Sequence, residues 1–447
     1  MGVMNVPLQF RADGTFRILQ LADIQDGPDV ARDAVDLIEA VVREADPDLV
    51  VLTGDQIRGY DPAYRRTFIA RRDDPDNRSA MARGIQASMR LEQTLGRLAG
   101  ACRAHETPGE RASDMERTIA KVERTIAAFL RPIVSRGIPF AVTYGNHDFQ
   151  CGVDLEEQDR IYARFPGYVG RAQVGENHWL DPGTYYIPVY DRAGSAPAMG
   201  VTLVNSGDYE PDGGYGAADA RAVAWLRAVD RGRTAQGAPV PTIAFQHIAP
   251  PEIYDLLRPV SRFTAGAIRG FRSHADRCYV VDERLCVPGS RLGEPPSCSE
   301  HNSGEVAALA QTPGYFALFF GHDHSNTVIG SMQGLDLGYG PTCGFTSYGP
   351  PARERGLRVF EFAQSDPRRY RTRVLTFGEL LDRRVRHPMR VLIGSTMLSS
   401  TKSIGNFLRR PRVAYWMGAL AGAGIGFALA AHEAAHDRRK QRRRLHW

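Results

Sequence analysis

Six short apolar runs punctuate the chain: Phe16–Leu21, Leu49–Leu52, Phe140–Tyr144, Val201–Val204, Thr242–Phe245 and Tyr315–Phe320. Each is too short for a helix, and several are rich in β-branched and aromatic residues, which predicts buried strands. Between them the apolar spacing lengthens. Ala31, Val35, Ile38 and Val42 recur at helical intervals and predict a helix over Ala31–Glu44. Ile119, Val122, Ile126 and Leu130 predict a second over Met115–Val134, ended near Gly137 before the next strand. Strands alternating with helices predict an α/β architecture. Leu357–Phe362 and Val374–Phe377 read as edge or closing strands. Residues 60–114 read as a polar, Arg-rich insertion with helical parts, and residues 255–305 as a second, irregular insertion rich in Gly, Pro and Ser.

The last part of the chain has a different pattern. Val413–Ala431 is nineteen residues without a charge. As a helix it would span about 28 Å at ~1.5 Å per residue, close to the ~30 Å hydrocarbon core of a bilayer. Tyr415 and Trp416 stand where interfacial aromatics stand, and Gly418, Gly422 and Gly426 give small-residue spacing for close helix packing. The segment is expected to be a transmembrane or membrane-associated helix, preceded by a basic linker over 377–412 and followed by a basic tail over 432–447.

The length of 447 residues allows one large domain or two ordinary ones, and 43% hydrophobic with 24% charged residues is a globular composition. The net charge of +5 changes meaning once it is divided. From Gly378 onward there are fourteen Lys/Arg against four Asp/Glu, a net of +10, which leaves the main body at −5. A nucleic-acid partner for the body is therefore not indicated. The six cysteines include no CxxC pair. Cys278, Cys286 and Cys298 fall within one segment but fit no zinc spacing, so reduced thiols are expected. The N-terminal residues contain no apolar signal region, and Val6 stands where myristoylation needs Ser or Thr, so the body is expected to be cytoplasmic.

Candidate chemistry follows the strands. The first run leads into Asp23-Ile24-Gln25, the second into Gly54-Asp55, the third into Gly145-Asn146-His147-Asp148. Phe245 leads through Gln246 into His247, and Phe320 into Gly321-His322-Asp323-His324. In α/β sheets ligands bind beyond the carboxyl ends of strands. Asp, Asn and His are oxygen and nitrogen ligands suited to Zn, Mn or Fe. The glycines before Asp55, Asn146 and His322 would let the backbone approach a site closely. Asp26 and Asp208 read as loop acids, His301–Ser303 as loop, and Asp323 is left outside the set.

This ordered set over residues 15–376 resembles the calcineurin-like metallophosphoesterase superfamily, nearest to its stand-alone purple-acid-phosphatase-like phosphatases. The resemblance implies a four-layer α/β/β/α sandwich and two divalent or trivalent metal ions (Mn, Zn or Fe). It also implies hydrolysis of a phosphate-ester substrate by a metal-bridging hydroxide. By matched position, Asp55 is the bridging carboxylate. Asp23 and His324 are ligands of the first metal, and Asn146, His247 and His322 ligands of the second. His147 is the catalytic imidazole at the leaving group, with Asp148 to orient it.

Three departures refine the expectation. The first motif is usually Asp-x-His, and here Gln25 takes the place of the His, as a weaker ligand through its oxygen or through water. That substitution opens a second reading, a catalytically weakened phosphate- or metal-binding protein. Arg58 stands where purple acid phosphatases carry their metal-binding tyrosine, so a purple centre is not expected. Gly54–Gly59 and Gly145–Asp148 also differ from the motifs of the protein Ser/Thr phosphatases. A third reading makes the basic, membrane-associated tail the functional part.

Overall fold

A computed structural model describes residues 7–98, 113–170, 179–212 and 214–396. The chain begins with β1 (Thr15–Leu21), α1 (Arg32–Ala45), β2 (Leu49–Thr53), α2 (Ala80–Leu98), α3 (Asp114–Val134) and β3 (Phe140–Thr143). Next come α4 (Leu155–Tyr162), β4 (Tyr185–Tyr190), β5 (Pro197–Leu203), α5 (Ala220–Ala228) and β6 (Thr242–Phe245). A small unit of β7 (Leu257–Val260), β8 (Ile268–Arg269) and β9 (Cys278–Val281) follows. The remainder is α6 (Glu305–Gln311), β10 (Tyr315–Phe320), β11 (Ile329–Met332), β12 (Leu335–Tyr339), β13 (Gly356–Ala363), β14 (Arg371–Thr376), α7 (Phe377–Leu380) and α8 (Pro388–Thr396).

Two sheets dominate, ordered β14-β13-β1-β2-β3 and β11-β12-β10-β6-β5-β4. Strands β1, β2 and β3 are parallel neighbours, as are β5, β6, β10 and β12, which aligns their carboxyl ends. Alternate residues explain the layering. Phe16 and Ile18 of β1 pack with Leu49 and Val51 of β2 against Val201, Ile243 and Phe319 of the other sheet. Leu19, Leu21, Val50 and Leu52 face the opposite way, against Leu37, Val41, Ile126 and Phe129 of α1 and α3. On the far side, Ala244, Leu318 and Leu337 pack with Val223 and Leu226 of α5 and Leu309 of α6. The layers thus run helix, sheet, sheet, helix, and strands buried on both faces read as continuous apolar runs.

One expectation needs correction, and two others gain detail. Leu357–Phe362 belongs to β13, which lies between β14 and β1, so β14 alone is the edge of that pair. The insertion at 60–114 contains a nineteen-residue helix, α2, whose Ala82, Ile85 and Met89 pack on Tyr60 and Phe68. The start of the expected linker is docked: Arg383 and Arg386 pair with Asp33 and Asp36 of α1, and Arg390 with Asp26. Asp33 and Asp36 on α1, with Asp26 before it, supply the charge that holds these arginines in place.

In the second insertion β7, β9 and β8 form a three-stranded sheet, and its cysteines Cys278, Cys286 and Cys298 are free thiols. Val413–Ala431 lies outside the described residues. Among the described residues no helix is long and apolar enough to cross a membrane.

Candidate metal centre

The parallel register brings the loops after β1, β2 and β3 side by side. Backbone N–H groups of Asp23 and Gln25 donate to the carbonyls of Gly54 and Asp55 at 3.2 and 2.8 Å, stitching the first two loops together. The second sheet delivers His247 after β6 and His322 after β10, joined by Gly321 N–H to the His247 carbonyl at 3.0 Å. Asp23, Gln25, Asp55 and His322 take positive φ angles of 54, 44, 53 and 71°. Non-glycine residues rarely adopt that region, and such conformations persist where the surroundings over-determine them.

Glycine is required where these loops meet. A Cβ on Gly54, whose φ is +92°, would lie 2.5 Å from the His247 ring, and a Cβ on Gly145 would lie 2.3 Å from Asp55 Oδ1.

The structure brings six expected ligands together in one buried chain of contacts. His324 Nε2 lies 3.3 Å from Asp23 Oδ1, and Asp23 Oδ2 accepts the His322 N–H at 3.0 Å. His322 Nδ1 is 3.2 Å from His247 Nε2. That same His247 nitrogen faces Asn146 Oδ1 at 3.3 Å and Asp55 Oδ2 at 3.4 Å. Asp55, His247 and His322 have ligating atoms within 4.8 Å of one another, which meets the requirement for holding a metal ion.

The far nitrogens are fixed. His247 Nδ1–H donates to the Thr53 carbonyl at 2.9 Å and His324 Nδ1–H to the Tyr348 carbonyl at 2.6 Å, which turns each Nε2 inward. A backbone carbonyl on the outer nitrogen is the usual support of a metal-binding imidazole. Asp23 Oδ1 is buried and accepts no hydrogen bond. An orphaned carboxylate oxygen beside an inward imidazole nitrogen fits a metal ion, and so does the oxygen–nitrogen donor set.

Electrostatics agree. Burial opposes a charge on His247, yet Asp55 lifts its imidazole up to about 9. Burial would raise Asp55 too, but His247 and then His147 hold its carboxyl well below the usual carboxylate range. Burial likewise opposes a charge on His324, and Asp23 raises it. The protons kept on these imidazoles are ones a metal ion would displace.

Three residues are placed differently from expectation. Gln25 turns its side chain to protein partners: its amide Nε2–H donates to Asp55 Oδ2 at 2.9 Å, and its oxygen accepts the Tyr60 hydroxyl at 3.3 Å. The carboxylate is the stronger acceptor for the amide. Asp148 does not orient His147. Its oxygens accept the backbone N–H groups of Asp55, Ile57 and Gly145, each at 2.8 Å. Burial, then the charge of Asp55, pushes its carboxyl up to about 7. The partner of His147 is Gln150, whose Oε1 lies 2.6 Å from Nδ1. Asp26 is no solvated loop acid: buried, it accepts from Gly27 N–H and, at 2.7 Å, Ala31 N–H at the start of α1.

Sequence reasoning passed over the supporting residues. Asp323 is buried and accepts the Tyr339 hydroxyl at 2.6 Å. Tyr60 sets its ring edge against His147, with centroids 4.9 Å apart. Tyr209 takes the Asn146 amide at 2.8 Å. Arg58 is buried, bidentate to Glu92 of α2 at 2.7 Å, and stacked over Tyr60. The three-residue spacing of His147 and Gln150 was a legible signal; the others come together only in the fold. His301 lies exposed, as expected of loop.

No family model matches the chain. Curated relatives do. One, described as probable inactive purple acid phosphatase 28 of Arabidopsis thaliana, is 24% identical over 393 residues, 80% of this chain and 77% of the relative. Another, probable inactive purple acid phosphatase 29 of the same plant, is 22% identical over 378 residues, 79% of this chain and 78% of the relative. The solved structure of a dimetal phosphatase from Danio rerio is 12% identical, with 81% of this chain and 99% of that chain covered and a TM-score of 0.39.

Proposed function

The chain is a relative of the calcineurin-like metallophosphoesterases, and we propose that it hydrolyses phosphate esters with metal ions held at this centre. One observation carries the reading. Asp23, Asp55, Asn146, His247, His322 and His324 follow five strands of two sheets and are linked by contacts of 3.0–3.4 Å. Bound metals supply a water of lowered pKa and positive charge toward the phosphoryl oxygens.

The remaining chemistry belongs to the chain. Asp55 would serve as the shared carboxylate of the two ligand groups; it faces His247 and is steadied by His147 N–H at 2.8 Å and by Gln25. Tyr209 fixes Asn146 so that its oxygen faces His247. His147 donates Nδ1–H to Gln150, and burial lowers its imidazole, so Nε2 is free at rest to take up a proton from water and, as the imidazolium, pass it to the departing oxygen.

The test is elemental analysis of the full-length chain together with turnover of para-nitrophenyl phosphate. Bound Mn, Zn or Fe, with turnover lost on chelation and restored on metal addition, is the expected result. A folded chain that takes up no metal and cleaves no ester ends the proposal.

A second reading has its own support. The hydrogen bond from Gln25 to Asp55 leaves Asp23 and His324 as a pair without a third ligand from the first motif, and the relatives are described as inactive. On that reading the centre binds one metal and phosphate with little turnover. Metal and phosphate binding without hydrolysis would select it. The segment Val413–Ala431 would then serve, on either reading, to hold the body at a membrane.

A further inference from the structure

A cavity of about 1060 Å³ shares His324 with the metal centre. Six arginines and two acids, Asp336 and Glu354, contribute to its wall. Four of the arginines have carboxylate partners at 2.5–2.9 Å. The other two, Arg358 and Arg368, have none among the described residues. Arg368 is exposed and solvated, whereas Arg358, in the interior strand β13, is only 4% exposed.

The hydrogen-bond partners of Arg358 are neutral. Its Nε–H donates to the Tyr339 carbonyl at 2.9 Å and its Nη1 to the Thr372 hydroxyl at 3.4 Å. The nearby Asp336 is occupied by the Tyr370 hydroxyl at 2.9 Å. Burial pushes the guanidinium down to about 10, which still leaves it charged at neutral pH. A buried cation without a counter-ion is unfavourable unless something anionic compensates it. Structural pairing accounts for two other buried arginines, Arg58, which Glu92 neutralises, and Arg355, which donates to the carbonyls of Gly344, Ser347 and Pro350. Nothing comparable accounts for Arg358, and it borders a space large enough for a nucleotide-sized group.

We propose that this cavity receives the leaving group of the substrate and that Arg358 binds a second phosphoryl group carried on it. The inference rests on the phosphoesterase reading and narrows its substrate class: monoesters bearing two separated phosphates over those bearing one. A planar guanidinium suits a phosphate by paired, charge-assisted hydrogen bonds.

The test compares adenosine 5′-monophosphate with adenosine 3′,5′-bisphosphate, which differ by the second phosphate alone, on the full-length, metal-loaded chain. The wild type is expected to favour the bisphosphate in kcat/KM by about tenfold or more. Arg358→Gln is expected to abolish that preference and to leave kcat/KM for the monophosphate within about twofold. No preference in the wild type, or a preference that survives Arg358→Gln, overturns the proposal. If the variant does not fold, the wild type still decides. Its KM for the bisphosphate is expected to rise more steeply with sodium chloride than that for the monophosphate, and parallel salt dependence overturns the assignment. If neither ester is cleaved, the phosphoesterase reading has failed by itself. Calorimetric titration with the bisphosphate then reads Arg358 directly: binding weakened about tenfold in Arg358→Gln supports the anion site, and equal binding removes it.

Discussion

Gln25 donates its side-chain amide to Oδ2 of Asp55 at 2.9 Å and receives the Tyr60 hydroxyl on its own oxygen. Both polar ends of the amide are therefore committed to protein partners. Gln25→His exchanges this arrangement for an imidazole beside Asp23 and His324. Metal affinity in calorimetric titration is expected to tighten by about tenfold, because imidazole is the better ligand for Zn or Fe. Unchanged affinity would mean that the space around residue 25 is shaped for the amide and excludes a ligating ring.

Gln150 and Asp148 weigh differently on catalysis and stability. Gln150 touches the His147 imidazole, so Gln150→Leu is expected to lower kcat by about tenfold to a hundredfold with metal content kept; melting temperature is expected to fall as well, because Gln150 also donates to the Ala70 carbonyl at 2.8 Å. Asp148 accepts three backbone N–H groups, so Asp148→Asn sets an amide N–H2 against donors. It is expected to cost about 2–4 kcal/mol of stability in chemical denaturation. If Asp148→Asn instead left stability alone and changed only kcat, the carboxylate would be the partner of the imidazole after all.

Asp55 can be tested both through its own side chain and without touching it. Asp55→Asn removes the shared charge and is expected to lower metal content and ester turnover by about a thousandfold or more. Gly145→Ala adds one methyl group, placed 2.3 Å from Asp55 Oδ1, and is expected to reproduce most of that loss. Two metals per chain and normal turnover in Gly145→Ala would show that Asp55 has no fixed position.

Glu305, buried at the start of α6, governs part of the pH dependence. Burial, with a contribution from the charge of Glu252, pushes its carboxyl up to about 7 from 4.5, although Gln246 pulls the other way. Below pH 4.5 the group is protonated in both folded and unfolded chains. From there to about 7 the unfolded chain releases a proton that the folded chain keeps, so stability falls by up to about 3 kcal/mol and then levels off. Glu305→Gln removes the loss. Urea unfolding is expected to show the variant more stable than wild type at pH 8 and no more stable at pH 4, and the opposite order would refute the assignment.

The C-terminal segment is tested by fractionation. The full-length chain is expected in the membrane fraction and a chain truncated at Leu408 in the supernatant. Release of the full-length protein by alkaline carbonate would argue for a helix lying on the surface, and a wholly soluble full-length protein would remove the membrane role.

The sequence made the strand ends legible because each combined an apolar run with a glycine or acid at a sharp turn. Phe16–Leu21, Leu49–Leu52 and Tyr315–Phe320 match β1, β2 and β10 within a residue. The short helices α4, α5 and α6 escaped because seven to nine residues hold too few turns to establish a period. Roles were harder to read than positions. That Asp148 would face three N–H groups, and Gln150 the imidazole, depends on the tight 3-10 turn Asp148–Cys151, which redirects both side chains. Asp26 looked exposed because Arg390, which lies against it, is 364 positions away, although its other partner, Ala31 N–H, is only five residues on.

The division of ligands between the sheets makes the centre a fastener. Asp23, Asp55 and Asn146 sit on one side of the sandwich seam, and His247, His322 and His324 on the other. Neither half could grip an ion well by itself, so an ion bound here would also tie the halves together. Loading and folding are then one equilibrium: a metal present at a hundred times its dissociation constant would add about 2.7 kcal/mol to the stability of the sandwich. A cell short of the metal would then hold this protein at a thinner margin of folding, more open to proteases.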